Sequence, residues 1–275
     1  MIRGLFIVFG VVMSLLMVTS CSKFRKIQKS EDWRIKYDAG LNYYNKKDYY
    51  RTAILFEEIL PTVRGLPEGE KVEFYLAYCQ YYERTYLLAS NQFKTFYETY
   101  GRSQLAQEAF FMYAYSLYVA SPDTNLDQKN SIQAMDAMQT FLNQYPESKF
   151  QEKAVDVITT SQLKLEKKGC DNAKQYYKIK SYKAAVIAFD NFKKSFPDSK
   201  YLEELAYLKV VSEYKFAIQS FQAFQIERFT LVVNYYQELV DNFPNSSYLK
   251  DAEKMYSVSL NQLNKLKALK TNKNS

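Results

Sequence analysis

The sequence predicts an all-α protein built from pairs of antiparallel helices. Strand signals are sparse, since the chain has only seven glycines, no Asn-Gly hairpin turn and few alternating runs of apolar and polar residues. Aromatic residues make up 17% of the chain, and they recur at spacings that pack helices together. A turn containing proline and serine recurs between the helical stretches, which indicates an internal repeat.

The first twenty residues are typical of a secretory signal peptide. Arg3 precedes an apolar run over residues 5–18, and the run stops at Thr19-Ser20-Cys21. A membrane-spanning helix needs about 20 predominantly apolar residues, so this shorter run indicates a segment that is cleaved rather than retained. Residues 1–20 are therefore predicted to be the signal peptide.

Cys21 is the predicted site of lipid attachment. Val18-Thr19-Ser20-Cys21 resembles the bacterial lipobox, in which an aliphatic residue and two small residues precede a cysteine that is acylated. Several acyl chains give a durable tether, because each buried methylene contributes about 0.8 kcal/mol and one chain alone holds only marginally. Among lipoproteins, a serine such as Ser22 after the cysteine is typical of outer-membrane delivery. The alternative is an ordinary secretory signal with a chance cysteine at the cut.

Residues 21–31 are predicted to form a lipid-anchored linker, and residues 270–275 a disordered tail. The linker spans at most about 40 Å when fully extended, which keeps the first helices close to the bilayer. Loss of Arg3 lowers the net charge from +7 to +6. The basic run over residues 23–29 can contact anionic head groups. No basic run carries a nucleic-acid-reading motif, so we expect no nucleic-acid partner.

The recurring turn combines a helix stop with a helix start. In three of its four copies an aromatic residue closes one helix, proline blocks continuation, and a serine hydroxyl can cap the next helix. The four copies are Tyr100-Gly-Arg-Ser103, Tyr145-Pro-Glu-Ser148, Phe196-Pro-Asp-Ser199 and Phe243-Pro-Asn-Ser246.

The residues before Pro197 identify the repeat as tetratricopeptide-like. Ala173, Tyr176, Ala185 and Phe189 occupy the small and aromatic positions of two crossing helices in a repeat of about 34 residues. The same spacing predicts three repeats over residues 32–146 and two more, with a capping helix, over residues 147–269. The fold class is therefore a tetratricopeptide-repeat superhelix of about five helix pairs.

Four departures from the regular repeat are expected. The third repeat carries an insertion around residues 125–130, and an extra mid-chain helix covers residues 150–168 and ends near Gly169. A long helix over about residues 200–224 opens the fifth repeat. Residues 248–269 form the C-terminal capping helix, because the last repeat of a solenoid would otherwise expose its stacking face.

The residue types argue against an enzyme. The chain has no histidine, which removes the commonest general base and metal ligand. Cys79 and Cys170 are predicted to be small buried residues, and two separated cysteines make neither a zinc site nor a disulfide framework. The adjacent carboxylates Glu57-Glu58 and Glu203-Glu204 point about 100° apart on a helix, so they do not converge on one substrate. We expect no catalytic residue, no metal and no cofactor.

The aromatic residues instead predict a groove that binds peptides. In a tetratricopeptide superhelix the first helix of each pair lines the groove, and the groove-facing places hold tyrosine and phenylalanine with basic edges. Such side chains suit an extended peptide with aromatic residues and a terminal carboxylate. The alternative for each tyrosine is ordinary packing between helices. The predicted groove residues are Arg34, Tyr37, Tyr44, Lys71, Phe74, Tyr78, Tyr81, Tyr82, Phe111, Tyr115 and Tyr118.

The lipobox, the degenerate repeats, the Pro-x-Ser turns and the segment from Ala173 to Phe189 together resemble the BamD family, the lipoprotein subunits of the β-barrel assembly machinery. The resemblance covers nearly the whole chain. It implies a lipid-anchored place at the periplasmic face of the outer membrane. There the N-terminal repeats would receive unfolded outer-membrane proteins through their C-terminal strand, and the C-terminal repeats would bind the periplasmic domains of the barrel-forming subunit.

Two other functions stay open at the level of sequence. A different periplasmic tetratricopeptide lipoprotein, such as an adaptor that organises cell-wall enzymes, has the same periodicity. An enzyme is the third class, although the chain shows no evident nucleophile or metal site. Because repeat scaffolds take their ligands through groove side chains, the fold alone does not identify the partner.

Overall fold

The computed structural model describes residues 23–273, so the signal peptide and Cys21 lie outside the described residues. Between residues 23 and 273 the chain forms twelve helices and no strand. This confirms the all-α fold class with helices packed in consecutive pairs. The helices are α1 (23–28), α2 (Trp33–Asn45), α3 (Tyr49–Val63), α4 (Pro67–Tyr82), α5 (Tyr86–Thr99), α6 (Ala106–Val119), α7 (Lys129–Gln144), α8 (Gln151–Lys178), α9 (Tyr182–Ser195), α10 (Leu202–Ile218), α11 (Gln222–Asn242) and α12 (Leu249–Lys273).

The chain divides into two compact units, which end and begin at Ser161 and Gln162 within α8. Unit 1 contains the three pairs α2/α3, α4/α5 and α6/α7, and each helix packs on the next. Its larger core contains Phe93, Phe96 and Phe141, with Ala154 and Val157 from the start of α8. The sequence predicts the division after residue 146, whereas the first turns of α8 complete the core of unit 1.

Unit 2 contains the end of α8 with α9, then α10, α11 and α12. One core joins α8, α9 and α10 through Cys170, Phe189 and Leu205. A second core joins α10, α11 and α12 through Val210, Val232 and Ala252. The terminal helix continues to Lys273, past residue 269, where the sequence predicts a disordered tail to begin.

The Pro-x-Ser turns end the helices as the sequence predicts, but the serines do not cap the next helices. The N-cap residues of α6 and α10 are Leu105 and Tyr201, without a side-chain cap hydrogen bond. Tyr145 and Phe196 are the C-cap residues of α7 and α9. Ser148 Oγ accepts a hydrogen bond from the backbone N–H of Phe150 at 3.1 Å, and Ser199 Oγ accepts one from Tyr201 at 3.3 Å. Ser103 and Ser246 each accept the same kind of bond, from the backbone N–H of the residue two positions later. Each serine thus binds the backbone N–H of the residue immediately before the next helix.

Two predicted helix ends are wrong, for identifiable reasons. Gly169 does not end a helix, because α8 runs through it to Lys178. A Cβ at Gly169 would lie 3.0 Å from the ring of Phe196, so this glycine permits close packing of α8 on the end of α9. The helix expected over residues 200–224 stops at Ile218, where the Ser220 hydroxyl donates to the Phe216 carbonyl.

The turns inside the helix pairs share a feature that the sequence analysis missed. Lys47, Arg84 and Lys180 have φ angles of 62°, 64° and 63°, in the left-handed region that usually selects glycine. The next residue closes the preceding helix by a bond five residues back, as from Asp48 N to Tyr43 O at 2.9 Å. This is the Schellman pattern, with a basic residue in place of glycine. A tyrosine follows each time, and it begins the second helix of the pair.

The loop between α6 and α7 contains the predicted insertion around residues 125–130. Gln128 is buried there, and its amide donates to the carbonyls of Asp123 and Leu126 at 2.8 and 3.1 Å. Ser131 donates to the Gln128 side-chain oxygen. The insertion is therefore folded onto the start of α7 by one buried amide.

Candidate functional site

The candidate site is a surface of tyrosine rings in unit 1, at the ends of α2, α4 and α6. We call it the tyrosine surface. Its rings contact one another in edge-to-face, tilted or stacked pairs, with centroid distances between 4.3 and 6.3 Å. The seven members are Tyr44, Tyr49, Tyr78, Tyr81, Tyr82, Tyr115 and Tyr118.

Stacking between neighbouring repeats holds the surface together. The ring of Tyr82 stacks on Tyr49 at 4.3 Å, which joins the second repeat to the turn of the first. Tyr81 lies 6.3 Å from Tyr115, and this contact extends the surface to the third repeat. Because aromatic pairs at such distances contribute about 0.5–1.5 kcal/mol beyond burial, the rings hold each other in place before any ligand arrives.

Exposure separates the rings that a partner can reach from those that support them. Tyr82 is 44% exposed, and Tyr81, Tyr115 and Tyr118 are half-buried. Phe74 and Phe111 are only 4% and 2% exposed. The prediction that these two phenylalanines line the groove is wrong, because α4 and α6 pack on helices before and after them and bury both rings.

Tyr78 is predominantly a supporting residue. Its ring packs against Phe74 and Phe93 with centroids 5.1 and 5.0 Å away. Its hydroxyl donates to Glu108 Oε1 at 2.6 Å. Burial, with help from the Glu108 carboxylate, raises the pKa of Tyr78 above its ordinary value. The residue therefore stays a neutral donor that fixes α4 to α6.

Burial also raises the pKa of other tyrosines of the surface. For Tyr81 it raises the pKa to about 12, with further increases from neighbouring tyrosines. For Tyr44 the pKa rises above its ordinary value for the same reasons. The hydroxyls of Tyr44 and Tyr81 thus remain protonated at any physiological pH and offer donors, rather than charges, to a ligand.

Two lysines flank the rings, one in the turn before α8 and one in its first turn, and the sequence analysis missed both. Lys153 Nζ lies 4.3 Å from the centroid of Tyr115. Lys149 Nζ lies 4.8 Å from the centroid of Phe150 and 3.4 Å from Glu108 Oε2. Phe150 in turn stacks on Phe111 at 4.4 Å. The basic edge of the surface is therefore supplied by the segment that follows the Pro146 turn.

The remaining predicted groove residues lie elsewhere in unit 1. Arg34 is exposed, and its guanidinium lies 4.6 Å from the centroid of Trp33. Tyr37 packs against Trp33 and Phe56 at 6.4 and 6.1 Å. Lys71 is exposed on the first half of α4. Along their helices, these three residues lie about two turns or more from the nearest member of the tyrosine surface.

Tyr49 is the surface member that sequence reasoning missed. It begins the second helix of the first pair, whereas only first helices were expected to contribute. The signal was present in the sequence as the triplets Lys47-Asp48-Tyr49, Arg84-Thr85-Tyr86 and Lys180-Ser181-Tyr182. Tyr86 contacts Tyr81 at 5.4 Å, and Tyr182 contacts Tyr177 at 6.1 Å, so the triplet returns an aromatic ring to the end of the preceding helix.

Neither the two cysteines nor the cavity beside Lys209 provides a reactive thiol or a ligand-sized space. Cys79 and Cys170 are buried and free, and burial raises the pKa of Cys79 to about 12, which disfavours the reactive thiolate. A cavity of about 40 Å³ lies beside Lys209 in unit 2, a volume suited to one or two water molecules. Among residues 23–273 no three His, Cys, Asp or Glu side chains are grouped to hold a metal ion.

The fold and the site define the class of the protein: a helical-repeat protein with an aromatic surface across three repeats. The family model YfiO, described as an outer membrane lipoprotein, matches residues 31–169 and 161–268. The chain belongs to this family of non-enzymatic outer-membrane lipoproteins. No match is found among curated proteins. Within residues 23–273, no helix is both long enough and apolar enough to cross a membrane.

Proposed function

We propose that this chain is the lipoprotein scaffold of the β-barrel assembly complex. It acts at the periplasmic face of the outer membrane, anchored through acylated Cys21, and binds the barrel-forming subunit and unfolded outer-membrane proteins. It works by binding rather than by catalysis. The family match supports the outer-membrane lipoprotein role, and the observation that carries the finer proposal is the tyrosine surface spanning three repeats of unit 1.

The tyrosine surface suits an extended segment with aromatic side chains. Rigid rings provide contact area at little cost in side-chain entropy, and their hydroxyls can stay hydrated before binding. Tyr82 and Tyr115 occupy neighbouring repeats, and both connect to Tyr81. Lys153 and Lys149 add positive charge at the edge, where a terminal carboxylate of the bound segment would find a counter-ion.

Unit 2 offers a different surface for the barrel-forming subunit. At the turn between α10 and α11, Phe221 is 84% exposed, and Ile218 and Phe224 are each 51% exposed. Arg228 packs over the rings of Phe216 and Phe224 at 3.7 and 5.3 Å. An apolar group held at a tight turn supports docking of a folded partner domain.

Binding of a labelled peptide tests the substrate role directly. The probe is the last strand of an outer-membrane β-barrel protein, ending in phenylalanine with a free carboxylate, and fluorescence anisotropy gives its Kd. We expect the double variant Tyr82→Ala/Tyr115→Ala to weaken binding at least about tenfold, because central aromatic residues dominate such interfaces. The matched control Tyr50→Ala/Tyr176→Ala removes two exposed tyrosines elsewhere and should leave Kd unchanged. Equal losses in both variants would reject the tyrosine surface.

A second peptide tests the basic edge separately. The variant Lys149→Gln/Lys153→Gln should weaken binding of the free-acid peptide several-fold, since exposed charge pairs contribute about 0.2–1 kcal/mol each. The same peptide with an amidated end should bind both proteins alike. If amidation makes no difference to the wild-type protein, the lysines do not bind the carboxylate.

The competing function is an adaptor for cell-wall enzymes. Affinity capture of the lipidated protein from a detergent extract separates the two functions. Co-purification of a large outer-membrane β-barrel protein supports the assembly role. Recovery of cell-wall hydrolases without such a barrel protein supports the adaptor role.

A further inference from the structure

Helix α1 has two faces, and one of them is packed onto the first helix pair. Phe24, Ile27 and Gln28 are half-buried. The Phe24 ring meets Tyr43 edge-on at 5.7 Å, and the Arg51 guanidinium lies 5.5 Å from its centroid. The Gln28 amide donates to Glu58 Oε1 at 2.7 Å. The segment that the sequence predicts to be a linker is therefore a short helix fixed to α2 and α3.

The outward face of the same helix is basic. Lys23, Arg25 and Lys26 are exposed, and Lys29 follows on the next turn. Because the inward face carries the aromatic and amide contacts, these cations point away from α2 and α3. This basic face covers only one short helix, so its capacity to bind a ligand depends on the charges of the neighbouring residues.

The neighbouring turn continues this basic face. Phe24 contacts the last turn of α2 and the first turn of α3, so α1 lies at the turn that joins them. Lys46 and Lys47 are exposed in that turn, and Tyr50 is 66% exposed. The nearby carboxylates Asp48 and Glu58 are paired with Arg51 and Lys36, whereas exposed Glu31 and Asp32 lie farther along the chain from Cys21.

The position of the anchor determines what covers this face. Three peptide units connect Cys21 to Phe24, a span of at most about 11 Å. Acylation of Cys21, which belongs to the proposed function, would therefore bring the face to the head groups of the bilayer that holds the acyl chains. We propose that α1 and the α2–α3 turn form a membrane-contact surface for anionic phospholipids, with the six exposed cations binding head-group phosphates and Tyr50 in the interface. This orientation sets the first repeat against the bilayer.

The physical basis is electrostatic attraction over a short range. Each Lys or Arg near an anionic leaflet adds to partitioning, and the attraction falls off within a Debye length of about 8–10 Å. A tyrosine with an apolar ring and a polar tip suits the interface. The acyl chains supply the durable attachment, and the basic surface supplies the orientation.

Vesicle sedimentation tests the surface without the acyl chains. The protein is residues 22–275, which retain every described residue, mixed with vesicles of phosphatidylcholine alone or with about 30% phosphatidylglycerol. We expect binding only to the anionic vesicles, with loss at high salt. Lys23→Gln/Arg25→Gln/Lys26→Gln should lower the partition coefficient about 100-fold and Lys46→Gln/Lys47→Gln about 30-fold.

The matched control removes three exposed lysines of unit 2, as Lys183→Gln/Lys194→Gln/Lys265→Gln. It should keep wild-type binding within about twofold. Equal loss in the control, or equal binding to neutral and anionic vesicles, would overturn the proposal. Because the assay uses neither acyl chains nor peptide, its failure leaves the peptide and capture results untouched.

Discussion

The hydroxyl of Tyr78 donates a 2.6 Å hydrogen bond to Glu108 Oε1 and so joins α4 to α6. The other carboxylate oxygen, Glu108 Oε2, accepts from Lys149 Nζ of the turn before α8 at 3.4 Å. One carboxylate thus connects the second repeat, the third repeat and the basic edge of the tyrosine surface. The surface is consequently held by polar bonds beneath it as well as by ring contacts.

Removal of this hydroxyl should cost stability without affecting ligand binding. Tyr78→Phe keeps the ring between Phe74 and Phe93 but deletes a bond to a charged acceptor, a loss of about 1.5–3 kcal/mol. Chemical denaturation followed by circular dichroism measures it. Tyr82→Phe, at a ring that is 44% exposed, should be neutral. A Tyr78→Phe protein with wild-type stability and weaker peptide binding would reverse the assigned role.

The crossing of α2 and α3 depends on the absence of a side chain at Gly40. A Cβ there would lie 2.2 Å from Phe56 Cε1, and Phe56 is fully buried. Gly40→Ala should therefore destabilise the protein by about 1–3 kcal/mol through overpacking, despite the better helix propensity of alanine. The loss is measured by urea unfolding.

The control for Gly40 is Gly101→Ala, at an exposed position. Its Cβ would meet only the Tyr97 carbonyl oxygen at 3.4 Å. We expect a change within about 0.5 kcal/mol there. Similar effects at both positions would mean that the loss is not due to the Phe56 contact.

The parts of the fold that the sequence predicts well are those encoded locally. The Pro-Ser turns are one example, because a proline ring and a serine hydroxyl act within a few residues of their own position. Ala185 and Phe189 are another, since their i, i+4 spacing places both on the face of α9 that packs into a core. The helix pairs follow from these two kinds of signal.

The parts that the sequence does not predict depend on contacts from distant residues. A glycine such as Gly169 usually indicates the end of a helix. Only its close contacts with Phe192 of α9 and the C-cap residue Phe196 show why it lies inside one. Helix α6 has buried residues on every side, such as Phe110, Phe111 and Met112. When no exposed polar stripe marks one side of a helix, its sequence does not show which residues face the groove and which face the core. Lys149 and Lys153 join the tyrosine surface only through the tertiary fold.

Glycine should increase stability when it replaces a turn residue that has a left-handed backbone conformation. At Arg84 and Lys180, with φ of 64° and 63°, glycine removes the clash of Cβ with the backbone, which outweighs its higher entropy in the unfolded chain. Arg84→Gly and Lys180→Gly should each stabilise the protein by about 0.5–1 kcal/mol. Thermal unfolding of each variant measures the gain.

Gly65 provides the opposite substitution. Its φ is 89°, and a Cβ there would meet no atom within 4 Å. Gly65→Ala should therefore destabilise by about 1 kcal/mol through backbone strain alone. If glycine at Arg84 or Lys180 destabilises instead, those side chains make contacts worth more than the strain.

Glu213 is buried in unit 2 and should make stability depend on pH. It is 4% exposed, and its Oε1 has no hydrogen-bond partner within the described part of the chain. Burial raises its pKa above the ordinary 4.5, and Glu227 of α11 adds to the increase. Arg228 of α11 and Lys209 of its own helix act in the opposite direction.

The sign of the pH effect follows from the raised pKa. Between pH 4.5 and the raised pKa, the folded state holds a proton that the unfolded state has lost, so stability falls as pH rises through this window and stays lower above it.

Glu213→Gln keeps the shape without the charge and should raise the unfolding temperature at pH 7 by a few degrees, about 2–4 °C per kcal/mol. At pH 4 and below, where the glutamate is protonated in both states, variant and wild type should unfold together. The matched control is Glu253→Gln at an exposed position of α12, which should change the unfolding temperature by no more than about 2 °C. A variant that gains equally at pH 4 and pH 7 would show that the carboxylate charge is not the cause.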